Sequence, residues 1–174
     1  MKARDIALAM TIYSYNAPFK YTRNIVVENV YWGWGLKYEA DLIAISKAGY
    51  ATEIEIKVSK YDLIKDMEKI KYTLCPDSRI TRKYFAIPQE LVNTAIKILP
   101  PNIGILSVYK KEGHDRYTVE TIRRAVRNKL ARPCTEQEIN KLLRLQSIKY
   151  WDRLSAVIAQ NQQLLKGSQN DTKD

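Results

Sequence analysis

Residues 38–58, with the sequence YEADLIAISKAGYATEIEIKV, decide the fold. Both halves are rich in apolar and β-branched residues, and a short Gly-containing turn at residues 47–49 divides them. The pattern therefore predicts strands over residues 36–46 and 50–58, joined as a hairpin. Side chains alternate between the two faces of a strand. Glu53, Glu55 and Lys57 consequently share one face, and the hairpin brings it beside the face that carries Glu39 and Asp41.

Four carboxylates and one ammonium in so small an area are hard to explain by stability alone. Like charges on neighbouring strands repel each other, and charges on a central strand lose hydration unless they are paired or bind a metal. A hard divalent cation such as Mg²⁺ would relieve the repulsion, because it prefers oxygen ligands. The alternative is an amphipathic strand whose Glu and Lys side chains form weak pairs on a solvated face.

The rest of the chain supplies helices and further strands around this hairpin. Helices are predicted over residues 3–16, 60–72 and 89–99, and strands over residues 24–32, 83–87 and 103–109. Ser59 and Asp62 form a capping pattern before the second helix, and Thr135 with Glu138 repeats it before a long last helix. The order predicts an α/β fold with a mixed sheet flanked by helices. We expect a core over residues 1–118, a helical extension packed on it over residues 119–166, and a disordered tail over residues 167–174.

Composition indicates the number of domains, the compartment and the class of partner. A chain of 174 residues fits one domain. Cys75 and Cys134 lack a zinc-ligand spacing, and no stretch approaches the roughly 20 apolar residues of a membrane helix, so we expect a cytoplasmic protein with no membrane partner. The 29 Lys and Arg against 19 Asp and Glu give a formal charge of +10. That excess favours a polyanionic partner, nucleic acid before an anionic membrane surface, although a basic solvated surface is the plain alternative.

The spacing of the acidic residues resembles a known signature. Asp41, a gap of thirteen residues and then Glu55-Ile56-Lys57 are similar to the motif of the PD-(D/E)XK nuclease superfamily. The αβββαβ order resembles the restriction-endonuclease-like core of that superfamily, and residues 38–62 resemble its MmcB-like DNA-repair group. The likeness is clearest over residues 24–109. One departure is Ala40, which stands where the signature has Pro.

The resemblance implies a metal-dependent nuclease that hydrolyses phosphodiester bonds in DNA, in repair, recombination or phage DNA processing, with RNA not excluded. Asp41, Glu55 and Lys57 would be the catalytic residues. Mg²⁺ or Mn²⁺ would be bound by Asp41, Glu55 and the backbone carbonyl of Ile56, with Glu53 and Glu28 as further candidate ligands. A simple exposed strand residue is an equal interpretation of Glu28. The rival function is a nucleic-acid-binding module on the same fold that cuts nothing.

Basic and aromatic residues suggest where nucleic acid would bind. The predicted nucleic-acid contacts are Lys60, Lys69, Lys71, Arg123, Arg124 and Arg127. The last three belong to the densest basic cluster, which also holds Lys129 and Arg132 and suits sequence-independent phosphate contacts. Tyr31, Trp32 and Trp34 could stack on unpaired bases, or they could be core aromatics. The apolar face of the last helix could serve a homodimer.

Overall fold

The computed structural model describes residues 1–14, 16–31, 34, 36, 38–67 and 79–170, except for the side chains of residues 13 and 164–170. A short N-terminal helix α1 continues into a π-helical segment, Ala9–Tyr13, and a 3-10 turn, Gln89–Leu91, precedes α3. The helices are α1 (Ala3–Leu8), α2 (Lys60–Met67), α3 (Val92–Ile98) and α4 (Glu136–Asn170). The strands are β1 (Ile25–Val30), β2 (Ala40–Ile45), β3 (Ala51–Ile56), β4 (Ile80–Pro88), β5 (Gly104–Lys110) and β6 (Tyr117–Arg123).

The six strands form one sheet in which spatial order equals chain order, β1 to β6. Strands β1, β2 and β3 pair antiparallel, β3, β4 and β5 pair parallel, and β6 is antiparallel to β5. The parallel pairs need crossovers, which α2 and α3 provide. The first six elements thus follow the expected αβββαβ order, and the α/β class with a mixed sheet and a C-terminal helix is confirmed.

Apolar clusters cover both faces of the sheet. On one face Ile6 of α1 and Met10 of the π-helical segment pack against Leu42, Ile54 and Leu106. On the other face two clusters lie side by side. One joins the start of α4 to β1, β2 and the beginning of β3, and the other joins α2 and α3 to β4 and β5. Because Glu53 and Glu55 alternate with Ile54, they face the side on which α2, α3 and α4 lie.

The helical extension predicted from residue 119 is wrong at its start. Residues 117–123 form strand β6, which completes the sheet beside β5. Thr118, Val119, Thr121 and Ile122 are β-branched and pack well on a pleated surface, and that preference prevails over the helical interpretation of the basic segment. Residues 124–135 are not regular, and α4 runs on to Asn170, so residues 167–170 are helical rather than part of a tail. Residues 68–72 of the second predicted helix, and 171–174, lie outside the described residues.

Helix α4 begins with the capping box predicted from the sequence. The Thr135 amide donates to Glu138 Oε2 at 2.7 Å, and the Glu138 amide donates to Thr135 Oγ1 at 3.3 Å. Further along, Lys149 Nζ donates to the carbonyls of Glu28 and Asn29, both at 2.8 Å, which fastens the helix to β1. Trp151 beyond this point is 60% exposed, and the homodimer expected through this helix stays a prediction. Among the described residues, no helix has the length and apolar character needed to cross a membrane.

Candidate active site

Asp41 and Glu55 are direct neighbours across β2 and β3. The register pairs Leu42 with Ile54, so the adjoining positions 41 and 55 face each other on one side of the sheet. Asp41 Oδ2 accepts a hydrogen bond of 2.7 Å from the Ile56 amide, which fixes the carboxylate over the end of β3. The predicted placement of the two acids on one face of adjacent strands is therefore observed. The Ile56 carbonyl as a metal ligand stays a prediction.

Lys57 draws the acidic side chains together just after β3 ends. Its Nζ lies 3.2 Å from Glu55 Oε2, 3.6 Å from Asp66 Oδ2 and 3.7 Å from Asp41 Oδ2. The Glu55 and Asp66 side chains are each 1% exposed, the Lys57 side chain 12% and the Asp41 side chain 34%. We call these four side chains the carboxylate cluster. It is a buried group of charges with one partly open edge at Asp41.

Asp66 is a member of the cluster that the sequence analysis did not single out. It lies on α2, whose Leu63 is fully buried and whose Met67 is partly buried against the core. Positions i, i+3 and i+4 share a helix face, so Asp66 stands on the apolar face of α2. An acid on an otherwise apolar helix face is the signal that could have found it. Ser59 caps the same helix as predicted, since its Oγ accepts from the Asp62 amide at 3.1 Å.

The protonation of Lys57 reflects two opposed effects. Burial alone would lower the pKa of this ammonium, but the neighbouring carboxylates of Glu55, Asp41 and Asp66 raise it, and the net pKa is above the ordinary value for lysine. The amine is therefore charged at neutral pH. In this arrangement Lys57 is a cation held among anions, and it is not a free base.

Glu53 has its own partners two residues before Glu55. Its Oε1 lies 2.9 Å from Lys83 Nζ on β4, and its Oε2 accepts a hydrogen bond of 2.8 Å from the Tyr38 hydroxyl. Burial raises the pKa of the Glu53 carboxyl, the Lys83 ammonium opposes the rise, and the nearby Glu55 adds to it. The alternative of a solvated Glu and Lys face does not hold at Glu53 and Glu55, because both side chains are buried.

The donor chemistry of the carboxylate cluster suits a hard divalent cation, since carboxylate oxygens from two strands and one helix approach a common point. In the described part of the chain, however, no group of three or more acidic, His or Cys side chains has the arrangement of a metal site. The Lys57 ammonium lies among the three carboxylates. A bound Mg²⁺ or Mn²⁺ at these carboxylates stays a prediction.

Glu28, predicted as a further ligand, lies elsewhere. The register pairs Glu28 with Leu42, so it is one residue out of step with Asp41 on the neighbouring strand. Its Oε1 lies 2.6 Å from Arg153 Nη1 on α4. That ion pair makes Glu28 a contact between β1 and α4, and its role as a metal ligand stays a prediction.

The predicted basic cluster does not form one surface. Arg123 points inward and donates to the backbone carbonyls of Ile103, Leu99 and Pro100 at 2.8, 3.2 and 2.9 Å. It therefore fixes the segment between α3 and β5, and a contact of Arg123 with DNA stays a prediction.

Two further arginines of that cluster, Arg124 and Arg127, are exposed but have different surroundings. Arg124 lies on the α1 face of the sheet, opposite the carboxylate cluster. Arg127 lies over Tyr50, with its guanidinium 4.9 Å from the ring centre. Tyr50 precedes β3 and Lys57 follows it, so Arg127 and Lys57 are about 20 Å apart along the strand. Arg124 and Arg127 are close in the sequence but do not share a surface. Between them the chain passes from the α1 face of the sheet to the end of the sheet where β3 begins.

The remaining residues that the sequence suggested for nucleic-acid binding have different surroundings. Lys60 is exposed at the start of α2, close in the chain to Lys57, and stays a candidate. Lys69, Lys71 and Trp32 lie outside the described residues. Trp34 is 3% exposed, donates from Nε1 to the Glu138 carbonyl at 3.0 Å and stacks against Arg79, so it belongs to the core and is not a stacking platform. Tyr31 is 46% exposed, and Arg132 forms a two-point ion pair with Glu138.

Comparison with known proteins adds support for the fold alone. A scan against models of protein families finds no match, and a search of curated proteins finds none either. Among solved structures, a protein of unknown function from Silicibacter pomeroyi is similar, with a TM-score of 0.59 and 18% identity. The alignment covers 90% of this chain and 91% of that chain. At this identity the similarity extends to the arrangement of helices and strands and carries no information about activity.

Proposed function

We propose that the protein is a metal-dependent nuclease that hydrolyses phosphodiester bonds in DNA. One observation carries the proposal: Asp41, Glu55 and Asp66, from two strands and a helix, converge on the Lys57 ammonium within 3.7 Å. Burying such a set of charges costs several kcal/mol per ion before pairing is counted. Strongly coupled buried charges at the end of a strand are more typical of functional sites than of a fold's stability.

The position and charge of each residue in the cluster suggest its role in the proposed reaction. Asp41 is the open edge of the cluster, so it is the carboxylate that a phosphate group in solution would meet first. Glu55 and Asp66 are held rigidly by the sheet and by α2, which preorganises their oxygens. The Lys57 ammonium would orient the attacking water and offset the charge that develops on the phosphate oxygens. A bound Mg²⁺ or Mn²⁺ would polarise the phosphate and lower the pKa of water.

Net charge supports the substrate class. The formal charge of +10 favours association with a polyanion, and counterion release makes such binding steeply dependent on salt. DNA is the substrate that the sequence motif implies. The proposal assigns no single basic patch to it, because the predicted cluster of arginines is distributed over three places in the fold.

A second candidate function has an observation of its own. The three carboxylates are already compensated in part by Lys57, and the described residues contain no formed metal group. A closed cluster of this kind could stabilise a fold that binds nucleic acid without cutting it. The two functions differ in one respect that is measurable, namely strand cleavage that depends on a divalent cation.

The test is a cleavage assay on supercoiled, linear, single-stranded and branched DNA with Mg²⁺, Mn²⁺ or EDTA. We expect cleavage by the parent protein with a cation and none with EDTA. Asp41→Asn and Glu55→Gln should abolish it, while Glu120→Gln, an exposed acid on β6, should cut like the parent. Lys57→Met should lower the rate about 10²- to 10³-fold, by analogy with loss of one donor to a developing oxyanion. Tight DNA binding without cleavage of any substrate would support the binding module instead.

A further inference from the structure

The α1 face of the sheet carries an open groove at a distance from the carboxylate cluster. It has a volume of about 370 Å³, within the about 300–1,000 Å³ of small-molecule sites. Strands β3 to β6 supply its floor, and Pro18 and Phe19 supply one wall. The lining contains two guanidinium groups, three hydroxyl groups and two aromatic rings, on Arg82, Arg124, Thr52, Thr121, Phe19 and Tyr84.

An aromatic surface is built into the floor by a glycine. Tyr84 on β4 is the register partner of Gly104 on β5. A Cβ atom at Gly104 would lie 2.2 Å from Tyr84 Cδ1 and 2.8 Å from the Ala125 amide nitrogen, so only glycine lets the ring lie on the β5 backbone. Phe19 meets the ring edge-on, with 6.0 Å between ring centres. The Tyr84 ring is partly exposed, so part of its surface remains for another flat group.

The charge in the groove is positive. Arg82 and Arg124 are exposed, and neither forms an ion pair with a carboxylate of the described residues. Among the described residues, the lining contains no Asp or Glu. Arg82 lies on β4 and Arg124 just beyond β6, so their backbones are about 10 Å apart across the sheet. Thr52 is the register partner of Arg82 and adds a hydroxyl beside that guanidinium.

We infer that this groove binds a nucleoside monophosphate unit, with the phosphate at Arg82 or Arg124 and the base against Tyr84. Arginine binds phosphate oxygens through paired N–H groups, and bases stack on aromatic rings whatever their identity. Inorganic phosphate would leave the aromatic floor uncovered, and a plain aromatic ligand would leave two guanidinium groups unpaired. The unit is either a free nucleotide or a nucleotide within a single strand. The site lies on the other face of the sheet from Asp41, and it stands whether or not the carboxylate cluster cuts DNA.

Isothermal titration calorimetry with thymidine monophosphate tests the inference on the full chain. We expect the nucleotide to bind more tightly than inorganic phosphate or thymidine. The double variant Arg82→Ala/Arg124→Ala should weaken binding about 10- to 100-fold, the range for loss of hydrogen bonds to a charged group. Arg116→Ala, an exposed arginine in the turn between β5 and β6, is the matched control and should bind like the parent.

Two further variants examine the base contact. Tyr84→Phe keeps the ring and should keep the affinity, whereas Tyr84→Leu should weaken it about tenfold or more, as expected for a lost stacking contact. Comparing the affinity of a 5′-phosphorylated oligothymidylate with that of the monophosphate shows whether the ligand is a single strand or a free nucleotide. Tighter binding of either one supports the site. Asp41→Asn should leave nucleotide binding unchanged, which separates this site from the proposed nuclease site. Equal affinity for phosphate and nucleotide, or unaltered binding by the double arginine variant, would overturn the inference.

Discussion

Replacing Lys57 with Met removes the ammonium charge and keeps most of the side-chain volume. In the parent protein this ammonium lies 3.2 Å from Glu55 and 3.6 Å from Asp66, whose side chains are each 1% exposed. The variant leaves these acids buried beside each other without their shared cation. We therefore expect a large loss of stability that depends on the carboxylates and has little to do with packing.

The size of the effect follows from burial. The contact with Asp41, which is 34% exposed, is worth about 0–1 kcal/mol because water screens it. Breaking a buried ion pair by removing one partner costs about 3–5 kcal/mol. For a domain of this size each kcal/mol lowers Tm by about 2–4 °C, so Lys57→Met should melt about 6–20 °C below the parent.

A divalent cation should reverse part of this loss. If Mg²⁺ or Mn²⁺ binds the three carboxylates once the ammonium is gone, it stabilises the folded state by about 2.7 kcal/mol at a concentration 100 times its Kd. The assay is thermal unfolding by circular dichroism with MgCl₂ or MnCl₂ against KCl of equal ionic strength. Lys65→Met, at an exposed lysine of α2, is the control and should melt like the parent. A Lys57→Met protein as stable as the parent, or one that the cation leaves unchanged, would refute the reasoning.

Three other regions give predictions. Hydrogen bonds from Arg132 lower the pKa of Glu138 to about 2, so its stabilising contribution is present above about pH 4.5 and is lost as the pH falls towards 2. Glu138→Gln should cost about 1 kcal/mol at pH 7 and much less at pH 2 in urea unfolding. Arg123→Ala should lower stability in the same assay and leave the salt dependence of DNA binding unchanged, whereas a flattened salt slope would restore it as a DNA contact. Lys83→Met should raise the pKa of Glu53 further, measurable by carbon NMR of the carboxyl, and a lowered pKa would contradict the ion pair.

Local patterns predicted the parts of the structure that depend on neighbouring residues. Alternation of side chains placed Asp41 and Glu55 on adjoining strands, and two capping patterns located the starts of α2 and α4. In each case the residues that interact are close in the chain or joined by a short turn, so periodicity and turn chemistry contain the information.

The parts that failed depend on distant residues. Strand β6 forms because the open edge of β5 accepts it, and the sequence of residues 119–123 alone does not reveal that edge. In the sequence Arg123 looks like its basic neighbours, but in the fold it donates hydrogen bonds to three backbone carbonyls that precede β5. Asp66 enters the site because α2 crosses over the sheet, which brings a helix position to Lys57.

The agreement between strand order and chain order has a consequence for how the molecule acquires its structure. Each strand pairs with the one made just before it, and Asp41, Glu55 and Asp66 all lie within the first half of the chain. The last helix instead returns to β1, through a contact between Lys149 and Glu28 that spans 121 positions. Contacts over such distances form late, because loop closure opposes them until the rest is ordered. We therefore expect the site to assemble early in folding, with docking of the final helix as the closing step that sets how slowly the finished protein unfolds.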